Sequence, residues 1–311
     1  MSATETAAAT PAHLVIAGGS VGFNWLPVFV AQRQGIFERN GLVVEARRTG
    51  SVDKATAAVK SGEADLAITP PEGAIADRLR EGNLRIIAGN VNRLPLTLIA
   101  NPRFSRIEQL EGCKLGTSSL TEGTAIYTME VLSRHGLHYP HDYSFAVVGV
   151  HPARWQALQE GTIDAAVQLI PLNFVAIDAG YANLGEVTDY IPEIVFTALV
   201  GRADWLEGHR EVALALLRSL IEATRWLYDP KHEAALIPLV MEITQSDAKY
   251  ARTSLAYMRE KRVFAGSLEI PPAALDKTLE LMVKAHLLEP GGIEQARSVL
   301  DETLRLEALK N

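Results

Sequence analysis

From about His13 onward the chain repeats one unit: a short apolar run, a turn marked by glycine or proline, then a stretch with apolar residues at helical spacing. "HLVIAGG" is predicted as a buried strand. Trp25 to Asn40 follows as a helix, with Pro27 early enough that its missing N–H costs little. Gly41 stops that helix and "LVVEARR" is the next strand. "SVDKATAAVKSG" is a helix between Ser51 as N-cap and Gly62 as C-cap, before the strand "ADLAIT". "PPEGAIADRLREG" is a helix closed by Gly82, before the strand "LRIIAGN". A second block repeats the scheme with "CKLGTSS", "TEGTAIYTMEVLSRHG", "SFAVVGV", "PARWQALQEG" and "IDAAVQLI", followed by an extended "EIVFTALV". Such alternation requires an α/β architecture, with mostly parallel sheets covered by helices. From about Trp205 the tail is helical, and "HREVALALLRSLIEATRWLYDP" is apolar around enough of its circumference to pack deeply. No Pro-rich or Ser-rich linker parts the blocks, which places short crossings near Leu96 to Ala100 and Phe196 to Val200.

The 311 residues, 48% of them hydrophobic, supply enough apolar surface for two cores. Lys and Arg number 30 against 37 Asp and Glu, a net charge of −7 with no basic block. That balance argues against a nucleic-acid partner and against a polybasic membrane anchor. No apolar run reaches the roughly 18 to 20 residues that span a bilayer. The opening "MSATETAAATPAH" has neither a basic nor an apolar leader segment, so as written the chain carries no secretory signal, and residues 1–12 read as a disordered tail. Cys113 is the only cysteine, which leaves no internal disulfide and no cysteine zinc cage; a small buried thiol is the reading.

Three helix starts share one chemistry. Thr69 opens "TPPE" and Ser119 opens "SLTE", both matching the capping box in which a hydroxyl accepts a backbone N–H and the Glu reaches back. Ser51 is a plain N-cap. Each follows the carboxyl end of a strand, where open α/β sheets bind ligands and helix N-termini favour anions. The loop "GGSVGFNW" adds glycines for close backbone approach, with Phe23 and Trp25 as an apolar wall. It lacks the G-x-G-x-x-G spacing, so a dinucleotide site with Glu45 as the ribose acid is disfavoured. His135, His138 and His141 read as a solvated helix end and not a metal site. No Walker loop, G-x-S-x-G elbow or H-E-x-x-H occurs, and no cofactor or metal is expected.

"WLPVFVAQRQGIFERNGLVVE", "AVKSGEADLAIT", "IEQLEGCKLGTSS" and "LQEGTIDAAV" together resemble the solute-binding proteins of ABC importers, in the group that binds nitrate, sulfonates, taurine and thiamine-pyrimidine precursors. The resemblance implies a two-lobed type II periplasmic-binding fold with a helical C-terminal tail. It divides the chain into one lobe from 13–97 plus 200–311 and another from 98–199. By position it implies ligand contacts from Phe23, Asn24, Trp25, Ser51, Thr69, Pro70 and Asn90 in the first lobe. Ser118, Ser119, Thr121, Gln168 and Pro171 follow from the second. Gly62, Asp65, Gly161 and Asp164 also match and read as turn and capping residues. A small-molecule ligand and an importer permease are the implied partners. The address is periplasmic by resemblance, and cytoplasmic if the sequence is complete. Enzymes share this fold, but aryl-sulfinate desulfinases use a cysteine where this chain has Phe23 to Trp25, and the yeast-type pyrimidine synthase uses a cysteine-rich motif absent here. A cofactor-free decarboxylase or lyase, with Glu72, His151 or Glu122 as acid or base, and a cytoplasmic ligand sensor are the alternatives.

Overall fold

The structure is a computed structural model and describes residues 10–310. Residues 1–9 of the expected tail lie outside the described residues, and Ala12 already belongs to a strand. In chain order the first half-turn of the fold is β1 (Ala12–Gly18), α1 (Leu26–Arg33), α2 (Ile36–Arg39), β2 (Leu42–Arg48), α3 (Val52–Ser61), β3 (Leu66–Thr69), α4 (Glu72–Leu79) and β4 (Leu84–Val91). The chain then crosses to β5 (Leu96–Ala100), β6 (Lys114–Thr117), α5 (Thr124–Ser133), β7 (Ser144–Val147), α6 (His151–Gln159), β8 (Ala165–Leu169), α7 (Leu172–Asp178) and β9 (Ala182–Glu186). It returns through β10 (Thr197–Arg202) to a tail of α8 (Ala203–Gly208), α9 (Arg210–Tyr228), α10 (Glu233–Thr244), α11 (Ala248–Lys261), α12 (Pro272–Lys284), α13 (Ile293–Arg297) and α14 (Thr303–Ala308).

Two five-stranded sheets result, ordered β2-β1-β3-β10-β4 and β7-β6-β8-β5-β9. The expected mostly parallel sheets are mixed, and the cause is the crossing itself. The strand that arrives from the other lobe, β10 in one sheet and β5 in the other, runs antiparallel to both neighbours. The exchanged strands are β5, from Leu96, and β10, from Thr197. The crossings also bond to each other, Ile194 N–H to Asn92 O at 2.9 Å and Phe196 N–H to Val91 O at 2.9 Å, which forms a two-stranded hinge.

The predicted helix from Trp25 to Asn40 is broken in two. Gly35 adopts φ +63°, a left-handed turn that glycine takes without strain, and α1 stops there while α2 restarts. The tail shields the edge of the first sheet: Ile86 N–H donates to Val299 O at 2.9 Å and Gly89 N–H to Leu268 O at 2.8 Å, so β4 offers no open ladder. One continuous apolar core runs through both lobes and the tail; a small second cluster around Ile99, Leu158 and Ile163 lies on the second sheet. No helix among the described residues is long and apolar enough to cross a membrane.

Candidate functional site

Strand ends and helix starts from both lobes meet in one crevice. Its innermost cavity, about 40 Å³, is walled on one side by Gly19 and Ser20 after β1, Asn24, Val52 at the start of α3 and Pro70 after β3. The opposite wall is Ser118 after β6, Gly123 and Thr124 at the start of α5, and Val150, His151 and Arg154 at the start of α6. Phe196 and Thr197 close the hinge side. With the lobes drawn together that volume suits a small ion or a few waters, since one water needs roughly 10–15 Å³ of this kind of space.

Arg154 dominates the electrostatics. Its side chain is fully buried, its Nε donates to Val167 O at 3.1 Å, and its Nη1 donates to Gly149 O at 3.1 Å. The remaining Nη2 donates to His151 Nδ1, which also accepts from Leu169 N–H at 3.2 Å, so the ring proton of His151 sits on Nε2. Burial first, and the Arg154 charge second, hold the His151 pKa well below the ordinary imidazole value; the ring is neutral. Burial lowers Arg154 to about 9, which leaves it cationic at neutral pH. Among the described residues no carboxylate pairs with it. A buried guanidinium beside a cavity, with neutral donors from Ser118 and Thr124 around it, is a site that an anion completes. Asn24, whose Oδ1 is buried without a partner, also lines this cavity.

Of the residues expected at the ligand, Asn24, Pro70 and Ser118 line the cavity. Phe23 and Trp25 do not: Phe23 stacks on Phe264 at 6.0 Å, and Trp25 is buried against Gly18, where a Cβ would lie 2.3 Å from its ring. Their large apolar surfaces are worth more in the core than in a wet cleft. Asn90 is a layer behind, its Nδ2 donating to Asn24 O at 2.8 Å and to Thr197 Oγ1 at 3.0 Å, and so holds the loop. Ser51 stands at the N-cap of α3 without a side-chain cap bond, its backbone pressed against Gly19. Gln168 is buried under α6; with its amide turned to suit its neighbours, the nitrogen donates to His151 O at 3.2 Å and the oxygen accepts from Trp155 N–H at 3.1 Å. Pro171 caps α7, away from the cavity.

Neither capping box forms. Thr69 is still in β3 and α4 begins only at Glu72, so its Oγ1 is buried without a partner. Ser119 lies ahead of Gly123, the true N-cap of α5, and its hydroxyl instead reaches across the lobes to Asp53 Oδ1 at 3.1 Å. Thr121 is exposed beside it, its N–H donating to Ser119 Oγ at 3.1 Å. The two glutamates freed from capping make a buried acidic contact between lobes. Tyr127 of α5 donates its hydroxyl to Glu72 Oε1 at 3.4 Å, and a Cβ built on Gly73 would sit 2.4 Å from Glu122 Oε1. Burial raises Glu72 to about 7; burial, then the charges of Glu72 and Asp53, raise Glu122 well above the usual carboxyl range.

Arg154, Thr124, Val52 and the Phe196–Thr197 pair were not read from the sequence, and His151 only as an acid or base. A signal existed for Arg154: it shares a helical face with the buried Ala157 and Leu158, and a cation on an apolar stripe is out of place unless it has work there.

The sheets, crossings and interlobe cleft define a two-lobed periplasmic-binding-protein fold. An alkanesulfonate-binding protein from Xanthomonas axonopodis pv. citri, solved with MOPS bound, superposes with a TM-score of 0.77 at 14% identity, covering 94% of this chain and 99% of that one. The periplasmic nitrate-binding protein of Synechocystis PCC 6803 gives 0.77 at 15%, over 97% of this chain and 88% of its own. A Candida albicans protein described as having the generic periplasmic-binding fold gives 0.77 at 16%, over 94% and 97%. The chain belongs to the NMT1/THI5 like family, whose model matches residues 22–234. A 4-amino-5-hydroxymethyl-2-methylpyrimidine phosphate synthase from Uromyces fabae is 26% identical over 224 residues, 65% of this chain; the match spans 64% of that relative, less than two thirds of its length.

Proposed function

We propose that this protein is the substrate-binding component of an ABC-type importer and that it closes over a small anionic solute, a sulfonate, nitrate, aromatic acid or pyrimidine-like acid. The observation that carries the reading is Arg154, a cation buried at the interlobe cavity with no carboxylate partner among the described residues. The family match and the sulfonate- and nitrate-binding neighbours support it. In this reading the oxyanion end of the solute rests on Arg154, Ser118 and the amino ends of α5 and α6. Asn24 holds a donor on the ligand, and a permease receives the closed form. A solute larger than the 40 Å³ cavity holds the lobes further apart.

A thermal-shift screen of those four classes tests the proposal. Ligand at about 100 times its Kd adds about 2.7 kcal/mol of stability. The expected result is a shift for at least one anion in the wild type, lost in Arg154→Gln and in Asn24→Asp, which brings a carboxylate into the wall without changing its size. A shift unchanged in both variants overturns it. A second reading, cofactor-free catalysis in the same cleft, is favoured by the neutral His151 in the cavity wall and by the synthase relative. Mass spectrometry of candidate compounds after incubation at high protein concentration separates the two, because a binding protein returns them unchanged.

A further inference from the structure

Behind the hinge, away from the interlobe cleft, a second cavity of about 960 Å³ opens between the crossings and the tail. Asn92 and Arg93 come from the first crossing and Glu193 from the second; Arg225 and Tyr228 end α9, and Arg259 and Arg262 end α11. Four arginines therefore share one cavity in a chain whose net charge is −7. Arg93, Arg225 and Arg262 make no ion pair among the described residues. Arg259 pairs through Nη1 with Glu233, while its Nε and Nη2 are buried without partners. Two carboxylates, Glu193 and Glu269, share the wall with these four arginines; neither makes an ion pair with them, and Glu269 accepts instead from Ser267 N–H at 2.9 Å and from Ser267 Oγ at 2.8 Å. Asn92 Oδ1 is a further buried atom without a partner on this wall. Tyr228 is fixed on this wall by its hydroxyl, which donates to Phe264 O at 3.1 Å and accepts from Phe264 N–H at 2.9 Å.

Like charges gathered in this way repel, and although Arg93 Nη1 donates to Lys261 O at 3.3 Å, guanidinium forks without carboxylate partners are matched by a group with several acceptors in fixed geometry. The volume falls within the range of small-molecule sites. We propose that this cavity binds a phosphate dianion, free or as the monoester of a small molecule, at a site separate from the interlobe cleft. Three unpaired guanidiniums and the two bare donors of Arg259 meet its oxygens, and the occupant rests against both crossings of the hinge.

Isothermal titration of the full chain with inorganic phosphate, AMP and adenosine, at constant ionic strength set by sodium chloride, tests this. Saturable binding of phosphate, of AMP or of both is expected, with none for adenosine; the stronger of the two tells the free ion from the ester. Arg93→Ala combined with Arg262→Ala should raise Kd at least tenfold, and Arg225→Glu, on a different helix, should do the same. All three side chains are exposed, so the fold tolerates their loss. Arg154→Gln should leave the affinity unchanged, which keeps this result independent of the cleft reading. Absence of saturable binding, affinity indifferent to these arginines, or binding abolished by Arg154→Gln overturns the proposal.

Discussion

Trp25 and Arg154 exchange the roles their chemistry suggests at first sight. The tryptophan of the first loop is fully buried and meets the backbone of β1 at Gly18, so it anchors the loop from beneath. Trp25→Ala should therefore cost about 3–5 kcal/mol of stability through the cavity it leaves. Chemical denaturation gives the number, and a loss below 1 kcal/mol would return the indole to the cleft surface. The arginine, by contrast, is held by two carbonyls and a histidine so that its charge is positioned before any ligand arrives. Positioning of this kind is hard to see in a sequence, because it depends on carbonyls that only the turn at Gly149 and strand β8 bring into reach.

At the scale of elements the two lobes repeat one fastening. Asp65 precedes β3, its N–H donating to Val15 O at 3.0 Å while its Oδ2 accepts from Val15 N–H at 2.8 Å. Asp164 precedes β8 and does the same with Lys114, at 2.8 Å and 2.9 Å. Each aspartate follows a glycine with left-handed φ, Gly62 or Gly161, which ends the preceding helix. The S-G-x-x-D resemblance thus marks a clasp between the third strand of a block and its first; the turn reading fits Gly62 and Gly161, whereas Asp65 and Asp164 tie strands together and cap no helix. Removing a hydrogen bond to a carboxylate typically costs 1.5–3 kcal/mol, so Asp65→Ala should lower stability by about 2 kcal/mol. Asp164→Ala also gives up the ion pair to Arg103 at 2.6 Å, an exposed contact of small worth, and should cost a similar amount. Urea titration checks both, and a change under 0.5 kcal/mol in either would deny the clasp its role. These elements were legible because period and punctuation are local. The break at Gly35 was not, since a glycine inside a helical pattern reads equally well as tolerated. The capping boxes failed because Thr69 and Ser119 sit a few residues before their helices, Thr69 still paired with β10 in the sheet and Ser119 bonded to Asp53 of the other lobe.

For the whole molecule, closure is tied to protons. Shutting the lobes buries Glu72 and Glu122 against one another's lobe, with Asp53, Thr56 and Tyr127 around them and Lys60 and Arg80 at the rim of the crevice, Lys60 already paired with Asp77. The tail reaches across as well, through Lys284 to Glu130 at 3.1 Å and Tyr257 to Glu186 at 3.0 Å, so opening has to stretch or break contacts on that side. In the closed form Glu72 titrates at about 7, and an opened, hydrated Glu72 returns to its ordinary 4.5. Below 4.5 both forms carry the proton and closure is indifferent to pH; between 4.5 and 7 the closed form holds a proton that the open form has lost. Closure is therefore strongest on the acid side and, through Glu72 alone, weakens by up to about tenfold per pH unit across that window. Glu122, raised in the same direction, adds to the effect. Small-angle X-ray scattering from pH 5 to pH 8 should show a radius of gyration that grows with pH in the wild type. In Glu72→Gln/Glu122→Gln, which keeps the shape but carries no titrating proton, the radius should stay small and flat. Equal pH responses in the two proteins would place the hinge under some other control.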